Sequence, residues 1–362
     1  MRPVVFLWEN FGPYHLDRLR GVAASGRRAI GLQYARTSET YDWVADAGGL
    51  DLRTLGLRPG EHGWRLAWRL WRAGRRIGRA DLFFCHYQHW PVLLAAIALR
   101  LTGGRLFAMF ESKHDDYPRH FWREAGKRLF LIPYTGALVP TPRSRAYLAF
   151  LGLRGRIATG YSTVAIDRIR AAAGTPPAPA GLAFDQREWV VVARLVPKKN
   201  IALAIDAHAR WLATAARPRD LHLLGSGPLE AELREQAARL GTAARVYFHG
   251  FVQSDAVARR LAGALALLLP STEEQFGLAV IEAQAMGLPV LLTPAAGAAD
   301  VLVEPGVDGF LLAPDDPAGW AAAMALLAED EGRWRAMTTA AAAGADRGDV
   351  ARFVEGVTAL TG

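Results

Sequence analysis

The chain has 362 residues, 51% hydrophobic and 22% charged, enough to bury more than one core and too apolar for a disordered chain. Its one cysteine, Cys85, excludes an intramolecular disulfide and fits a cytoplasmic, reducing setting. The net charge of +8 points to acidic partners: nucleic acid, anionic lipid or phosphorylated small molecules.

In chain order, "PVVFLW" reads as an opening strand, and the start "MRPVVFLWENFGP" is not expected to be a signal peptide. A helix follows in "GPYHLDRLRGVAAS", opening at Gly12-Pro13. "AIGLQYA" is the next strand, residues 64–79 a helix, and "DLFFCHY" a buried strand. "WPVLLAAIALRLTG" is a helix closed by two glycines, and "RLFAMFE" and "GALVPT" are strands. No apolar run reaches the roughly 18–20 residues that cross a bilayer. "GTPPAPAG" reads as a linker because its prolines extend it and its glycines free its ends. The alternation then restarts with strands "EWVVVARL", "DLHLLGSG", "RVYFHG", "ALALLLP", "LPVLLT" and "GFLLAP", separated by helical stretches. Strands joined by helices imply parallel sheets covered on both faces. The expected architecture is α/β: two doubly wound, Rossmann-like domains facing across a cleft, at 1–173 and 183–346, with a linker at 174–182. A final segment, 347–362, carries a helix with apolar positions at Val350, Phe353, Val354 and Val357.

Ligands in such sheets bind beyond the carboxyl ends of the strands. After "VVVARL" come Arg194 and Lys199, two cations straddling a proline turn that could clamp a pyrophosphate; a solvated basic loop is the bland reading. After "LHLLG" comes a Gly225–Gly227 pair, more simply read as a tight turn than as a phosphate loop. After "ALALLLP" comes "STEEQFGLAVIEAQAMGLP". Its helix is expected to start near Phe276-Gly277-Leu278, where free amides and the positive dipole end would attract an anion. Glu274 precedes that helix mouth and Glu282 lies roughly 9 Å past it along the axis. A nucleotide sugar suits this pattern: hexose toward Glu274, pyrophosphate at the mouth, ribose toward Glu282. The bland reading is an amphipathic helix with surface glutamates.

From 190 to 314 the chain resembles the retaining GT-B glycosyltransferases of family 4, with an E-x7-E signature at Glu274 and Glu282 and an Arg…Lys loop in "VARLVPKKN". "ADLFFCHYQHW" and "FGPYH" resemble that family's N-terminal strand ends less strongly. The resemblance implies that Arg194 and Lys199 stabilise the leaving diphosphate and that Glu274 holds hydroxyls of the transferred sugar. It implies that the amides of Phe276, Gly277 and Leu278 touch sugar and phosphate, and that Glu282 binds ribose. Gly225, Val252 and Gly12 complete the implied donor set, Val252 through its backbone at the base. It also implies that the last helix packs back on the N-terminal domain. One departure stands out: where the family often carries a histidine after its fourth N-terminal strand, this chain has Glu111. Glu111 is therefore a catalytic candidate, with His15, His86 and His114 as acceptor-side candidates.

The implied reaction moves a hexose, by preference from a UDP-sugar, by front-side displacement with no metal and no cofactor. A sugar, small metabolite or lipid-linked acceptor stays open. Alternatives are a sugar-nucleotide epimerase or phosphorylase on the same fold, or a non-catalytic basic binder of membrane or nucleic acid. No nucleic-acid module is recognisable, so no nucleic-acid partner is expected. In the helix at 64–79, Trp64, Trp68 and Trp71 share one face and Arg65, Arg69, Arg72 and Arg76 a neighbouring one. Either the tryptophans face the core, or the helix docks on anionic lipid and the protein is peripheral on the inner face of the membrane.

Overall fold

The computed structural model describes residues 1–36, 46–58, 61 and 63–362. The chain divides into two compact units, Met1–Ala165 with Val350–Gly362 (unit 1) and Ile166–Asp349 (unit 2).

Unit 1 holds strands β1 (Val4–Trp8), β2 (Ala29–Gln33), β3 (Asp51–Thr54), β4 (Asp81–Phe84), β5 (Arg105–Met109), β6 (Gly136–Val139) and β7 (Arg156–Thr159). They form one parallel sheet in the order β3-β2-β1-β4-β5-β6-β7. Its helices are α1 (Pro13–Ala24), α2 (Trp64–Ile77), α3 (Trp90–Leu101), α4 (Phe121–Leu131) and α5 (Pro142–Phe150). Alternate strand residues feed two cores, as the two-residue period of a strand requires. Val5, Leu7 and Phe84 pack with Leu66, Leu70, Val92, Leu99 and Leu148 from α2, α3 and α5. Val4, Phe6 and Phe83 pack on the other face with Leu16, Leu19 and Val22 of α1.

Unit 2 starts with α6 (Ile166–Ala173). Its sheet contains β8 (Glu188–Val192), β9 (Leu221–Leu224), β10 (Val246–Phe248), β11 (Ala264–Leu269), β12 (Val290–Leu292) and β13 (Gly309–Leu311). The order is β10-β9-β8-β11-β12-β13, again parallel throughout. Around it lie α7 (Ile201–Leu212), α8 (Glu230–Arg239), α9 (Ser254–Ala262), α10 (Leu278–Ala285), α11 (Pro317–Glu329) and α12 (Glu331–Gly344). The central strands β8 and β11 are almost wholly buried, which is why "VVV" and "ALALLL" are apolar without alternation. The last helix, α13 (Val350–Thr361), belongs to unit 1: Phe353, Val357 and Leu360 join the α1 core. Gly356 permits this docking, since a Cβ there would stand 2.3 Å from the Thr159 carbonyl oxygen.

Several details differ from the sequence reading. The unit boundary falls at 165/166, and the segment expected as a linker, 174–182, lies inside unit 2. The Ala178 amide donates to the Met286 carbonyl at 2.9 Å, and the buried Arg187 side chain donates to the carbonyls of Ala180 (2.7 Å) and Leu182 (3.0 Å). α6 is held to the same unit through Arg170 Nε, which donates to Ala285 O at 3.0 Å. The second boundary is 349/350, not 346/347. The strand expected through "DLFFCHY" stops at Phe84, because His86 takes a left-handed conformation (φ 53°) that turns the chain. Among the described residues the short, charged β3 pairs with β2 alone, and such an edge strand shows little of the apolar alternation that marks a strand. The tryptophans of α2 do not face the core. Leu66, Ala67, Leu70 and Gly74 do, and Trp64, Trp68 and Trp71 are exposed.

Candidate functional site

Each sheet reverses its strand order once, between β1 and β4 in unit 1 and between β8 and β11 in unit 2. At such a reversal the two neighbouring loops part and leave a crevice at the carboxyl ends of the strands.

In unit 2, the loop after β8 carries Arg194 and Lys199 and the loop after β11 carries Ser271–Glu274 (271–274). The two loops are joined. The amides of Thr272 (2.9 Å) and Glu273 (3.4 Å) donate to the Lys198 carbonyl, and Lys198 Nζ lies 3.4 Å from Glu273 Oε1. Lys199 Nζ is paired with Glu274 Oε2, and Ser271 Oγ donates to that same oxygen at 3.3 Å. Both members of the Lys199–Glu274 pair keep some contact with solvent, so an incoming ligand can reach them. Arg194 is exposed on the same loop as Lys199. The β8 loop is also fixed from behind. Leu195 donates to Ser226 O at 3.0 Å, and a Cβ at Gly225 (φ 147°) would lie 1.9 Å from the Ala193 carbonyl oxygen. Gly225 is thus required by backbone packing whatever else it touches.

Gly225 N donates to Gly250 O at 2.8 Å, which ties this turn to the loop after β10 that carries the half-buried Val252. Gly277 caps α10 in a left-handed conformation (φ 101°), with Phe276 buried before it and Leu278 as the first helical residue. The Phe276 carbonyl accepts from Ala298 N at 2.9 Å, which fixes the approach to the helix. α10 is buried from Ala279 to its end, and Glu282 is only 2% exposed. The surface-glutamate reading of α10 therefore fails: Glu282 is a carboxylate inside a buried helix, a costly position for an ionised group.

In unit 1, the Gly12 amide donates to His15 Nδ1 at 3.1 Å. Burial, with Arg18 and His86 nearby, holds His15 well below the usual imidazole range, so the ring is neutral with its proton on Nε2. His15 lies against the Trp8 ring at 4.7 Å between centroids, and His86 stacks on His89 at 5.1 Å. Glu111 Oε1 accepts from Ser162 Oγ at 2.9 Å, and its charge acts on Arg18, Tyr161 and Cys85. His15, His86 and Glu111 therefore share one neighbourhood beyond β1, β4 and β5. His114 does not: it is exposed and sits edge-on to Tyr147 and Phe150 of α5, 5.9 Å from each ring centre.

Four residues of these clusters stand outside the candidates that the sequence offers: Ser271, Ser162, Tyr161 and Arg18. Arg18 is 2% exposed, donates to Thr163 O at 3.2 Å and lies over the Tyr161 ring. Its one sequence signal is a charge three residues after His15 on a helix that buries Leu16, Leu19 and Val22. Among the described residues no three His, Cys, Asp or Glu side chains gather into a group that could hold a metal ion.

Residues 178–343 match the family model described as "Glycosyl transferases group 1". The chain is 30% identical over 304 residues to a D-inositol 3-phosphate glycosyltransferase of Streptomyces avermitilis, covering 78% of this chain and 64% of that protein. It thus spans less than two thirds of that relative's length. It is also 39% identical over 121 residues to the Vi polysaccharide biosynthesis protein VipC/TviE of Salmonella typhi, covering 33% of this chain and 20% of that protein. Among solved structures it resembles HepE of Anabaena in complex with UDP and glucose, with TM-score 0.73 at 22% identity over 99% of both chains. It also resembles a sucrose-phosphate synthase of Thermosynechococcus elongatus, with TM-score 0.77 at 18% identity over 99% of this chain and 98% of that one. At these identities the structural likeness establishes the fold.

Proposed function

We propose that this chain, whose residues 178–343 form a glycosyl transferases group 1 domain on a GT-B fold, moves a hexose from a nucleoside-diphospho-sugar to an acceptor hydroxyl with retention of configuration. The observation that carries the reading is the pairing of Lys199, on the loop that also bears Arg194, with Glu274, three residues before the α10 N-cap Gly277, at the strand-order reversal of unit 2.

The chemistry follows from those groups. Lys199 and Arg194 oppose the charge that builds on the departing diphosphate, and the first amides of α10 add a fixed positive end. Glu274, held by Lys199 and Ser271, is oriented to accept from hydroxyls of the transferred sugar. Glu282 accepts from the ribose, which requires its carboxylate to open toward the ligand on binding. As the acceptor oxygen bonds to the anomeric carbon, the bond to the diphosphate breaks and a diphosphate oxygen takes the acceptor proton on the same face. Two cations and a helix N-terminus then do the work for which a metal would serve, so transfer is independent of divalent ions. A uracil base is preferred. Glu111 and the neutral His15 are the groups of unit 1 offered to the acceptor.

A melting-temperature panel of UDP-, GDP- and ADP-sugars tests the reading, because a ligand that binds the native state raises the transition. Incubation of the stabilising donor with candidate acceptors in EDTA should then release free nucleoside diphosphate and an α-glycoside from an α-linked donor. Epimerised donor, a product formed only with added inorganic phosphate, or activity restored by Mg²⁺ after complete loss in EDTA would each overturn a named part of the proposal.

A further inference from the structure

Two neighbouring helices of unit 1 turn large apolar side chains outward in matching stripes. α2 exposes Trp64 (74%), Trp68 (51%) and Trp71 at positions i, i+4 and i+7. α3 exposes Trp90, Leu94, Ile97 and Leu101 (81%) at i, i+4, i+7 and i+11. The helices pack side by side. Trp64 and Trp90 meet edge to face with ring centres 5.0 Å apart, and further along Leu99 fills the space over Gly74, where a Cβ would sit 2.5 Å from its Cδ2. Each helix leads into one of the adjacent parallel strands β4 and β5, so both run the same way and the stripes lie alongside each other. Folding has already used the other faces of these helices: Leu66, Leu70, Val92, Ala95 and Leu99 fill the core. A soluble surface rarely leaves so many large apolar groups together without a partner.

The charge beside the stripes says which partner. Neither helix contains an aspartate or glutamate, while α2 carries Arg65, Arg69, Arg72, Arg75 and Arg76, and Arg72 lies 4.9 Å over the Trp68 ring. Trp beside Arg, with aliphatic groups in between, suits the headgroup and upper acyl region of a membrane. A second copy of the chain would bring two arginine-rich faces together. A nucleic acid would leave Leu94, Ile97 and Leu101 with nothing apolar to cover. No described helix is long and apolar enough to cross a bilayer, so the contact is with its surface.

We infer that the α2–α3 face of unit 1 is a docking surface for anionic lipid bilayers. The N-terminal ends of both helices, Trp64 and Trp90, lie at the edge of the sheet where β4 ends and His86 follows. A docked membrane would thus meet unit 1 at the edge that carries the acceptor-side candidates. The inference does not rest on the transfer reading, since lipid binding needs no turnover.

The full chain should float with vesicles of phosphatidylglycerol in phosphatidylcholine, with a blue shift in tryptophan emission, and only weakly with phosphatidylcholine alone. Rising salt should weaken the binding. Arg72→Glu with Arg76→Glu should cut partition onto the anionic vesicles roughly tenfold or more. Trp64→Ser with Trp68→Ser should abolish the blue shift, and both pairs are exposed, so the melting temperature should hold. Equal binding to both vesicle types would overturn the inference, as would parent-like partition by folded variants of both pairs. So would a dimer in sedimentation that these substitutions dissociate, or tighter retention on duplex DNA than on vesicles.

Discussion

At the strand-order reversal of unit 2, the charged groups come from two short segments, 194–199 and 271–282, tied to each other by backbone hydrogen bonds. At the reversal of unit 1 the polar groups come from four places: the 12–18 stretch with His15 and Arg18, then His86, Glu111, and the 161–163 stretch before the unit boundary. The sheets follow the same plan. The difference lies in how far along the chain the candidate groups are scattered. A site built from contiguous loops keeps its spacing as a motif, and a site assembled from many strand ends leaves none. The outer faces differ too, since the α2–α3 face of unit 1 carries exposed tryptophans and arginines.

The largest expected effect tests the partition itself. Phe353 of α13 is fully buried 5.3 Å from the Phe6 ring, so Phe353→Ala should cost unit 1 about 3–5 kcal/mol. Hydrogen exchange should then speed up in β1, β6 and β7 and stay slow in β8 and β11. Equal acceleration in both sheets would mean that α13 does not serve unit 1 alone.

Next in size, Lys199→Ala should raise the dissociation constant for a nucleoside diphosphate about ten- to a hundredfold, the worth of a charge-assisted hydrogen bond. Glu274→Ala frees Lys199 and should leave diphosphate affinity intact or better while transfer falls. Calorimetry on the pair separates the two roles, and parallel losses in both variants would contradict them.

A smaller effect is expected at Glu111. Glu111→Gln keeps an acceptor for Ser162 Oγ and removes the charge. It should lower kcat roughly tenfold, with nucleoside diphosphate affinity unchanged. A rise in the diphosphate dissociation constant would place Glu111 with the donor set instead.

The smallest effect concerns pH. Burial, with Arg260 and His249 nearby, pushes His222 down to about 4, and its Nδ1 lies 2.9 Å from His249 Nε2. The folded state keeps this ring neutral while the unfolded chain takes up a proton below 6.5. Stability from His222 is therefore complete above pH 6.5 and is lost as pH falls toward 4. The melting temperature of His222→Phe should fall less steeply than the parent's across that window. Identical slopes would remove the ring from the account.

Much of the fold and one half of the candidate site are legible in the residues alone. "VVV", "ALALLL" and "VVFLW" are buried on both faces and so read as strands of a covered parallel sheet. The glycine before α10 and the spacing of Glu274 and Glu282 survive as a motif because one loop and one helix hold them all. Some unread elements had local signals: Thr141 before Pro142 caps α5 by accepting from Ser144 N at 3.1 Å, and Asp316 before Pro317 does the same for α11.

Other features have no local code. Periodicity places Trp64, Trp68 and Trp71 on one face of a helix but not on the inner one. That was decided by Leu66 and Leu70, which have Leu99 and the sheet to pack on. The composition of 174–182 suggests a free linker, yet the buried Arg187 holds its carbonyls inside unit 2. Likewise α13 is assigned to unit 1 by Phe6, Leu138 and the Thr159 backbone, all almost 200 residues or more away in sequence. Local sequence dictates backbone conformation because propensity, capping and turn chemistry act over a few residues. Which face is covered, and which unit an element joins, depends on surfaces that only the folded chain brings together.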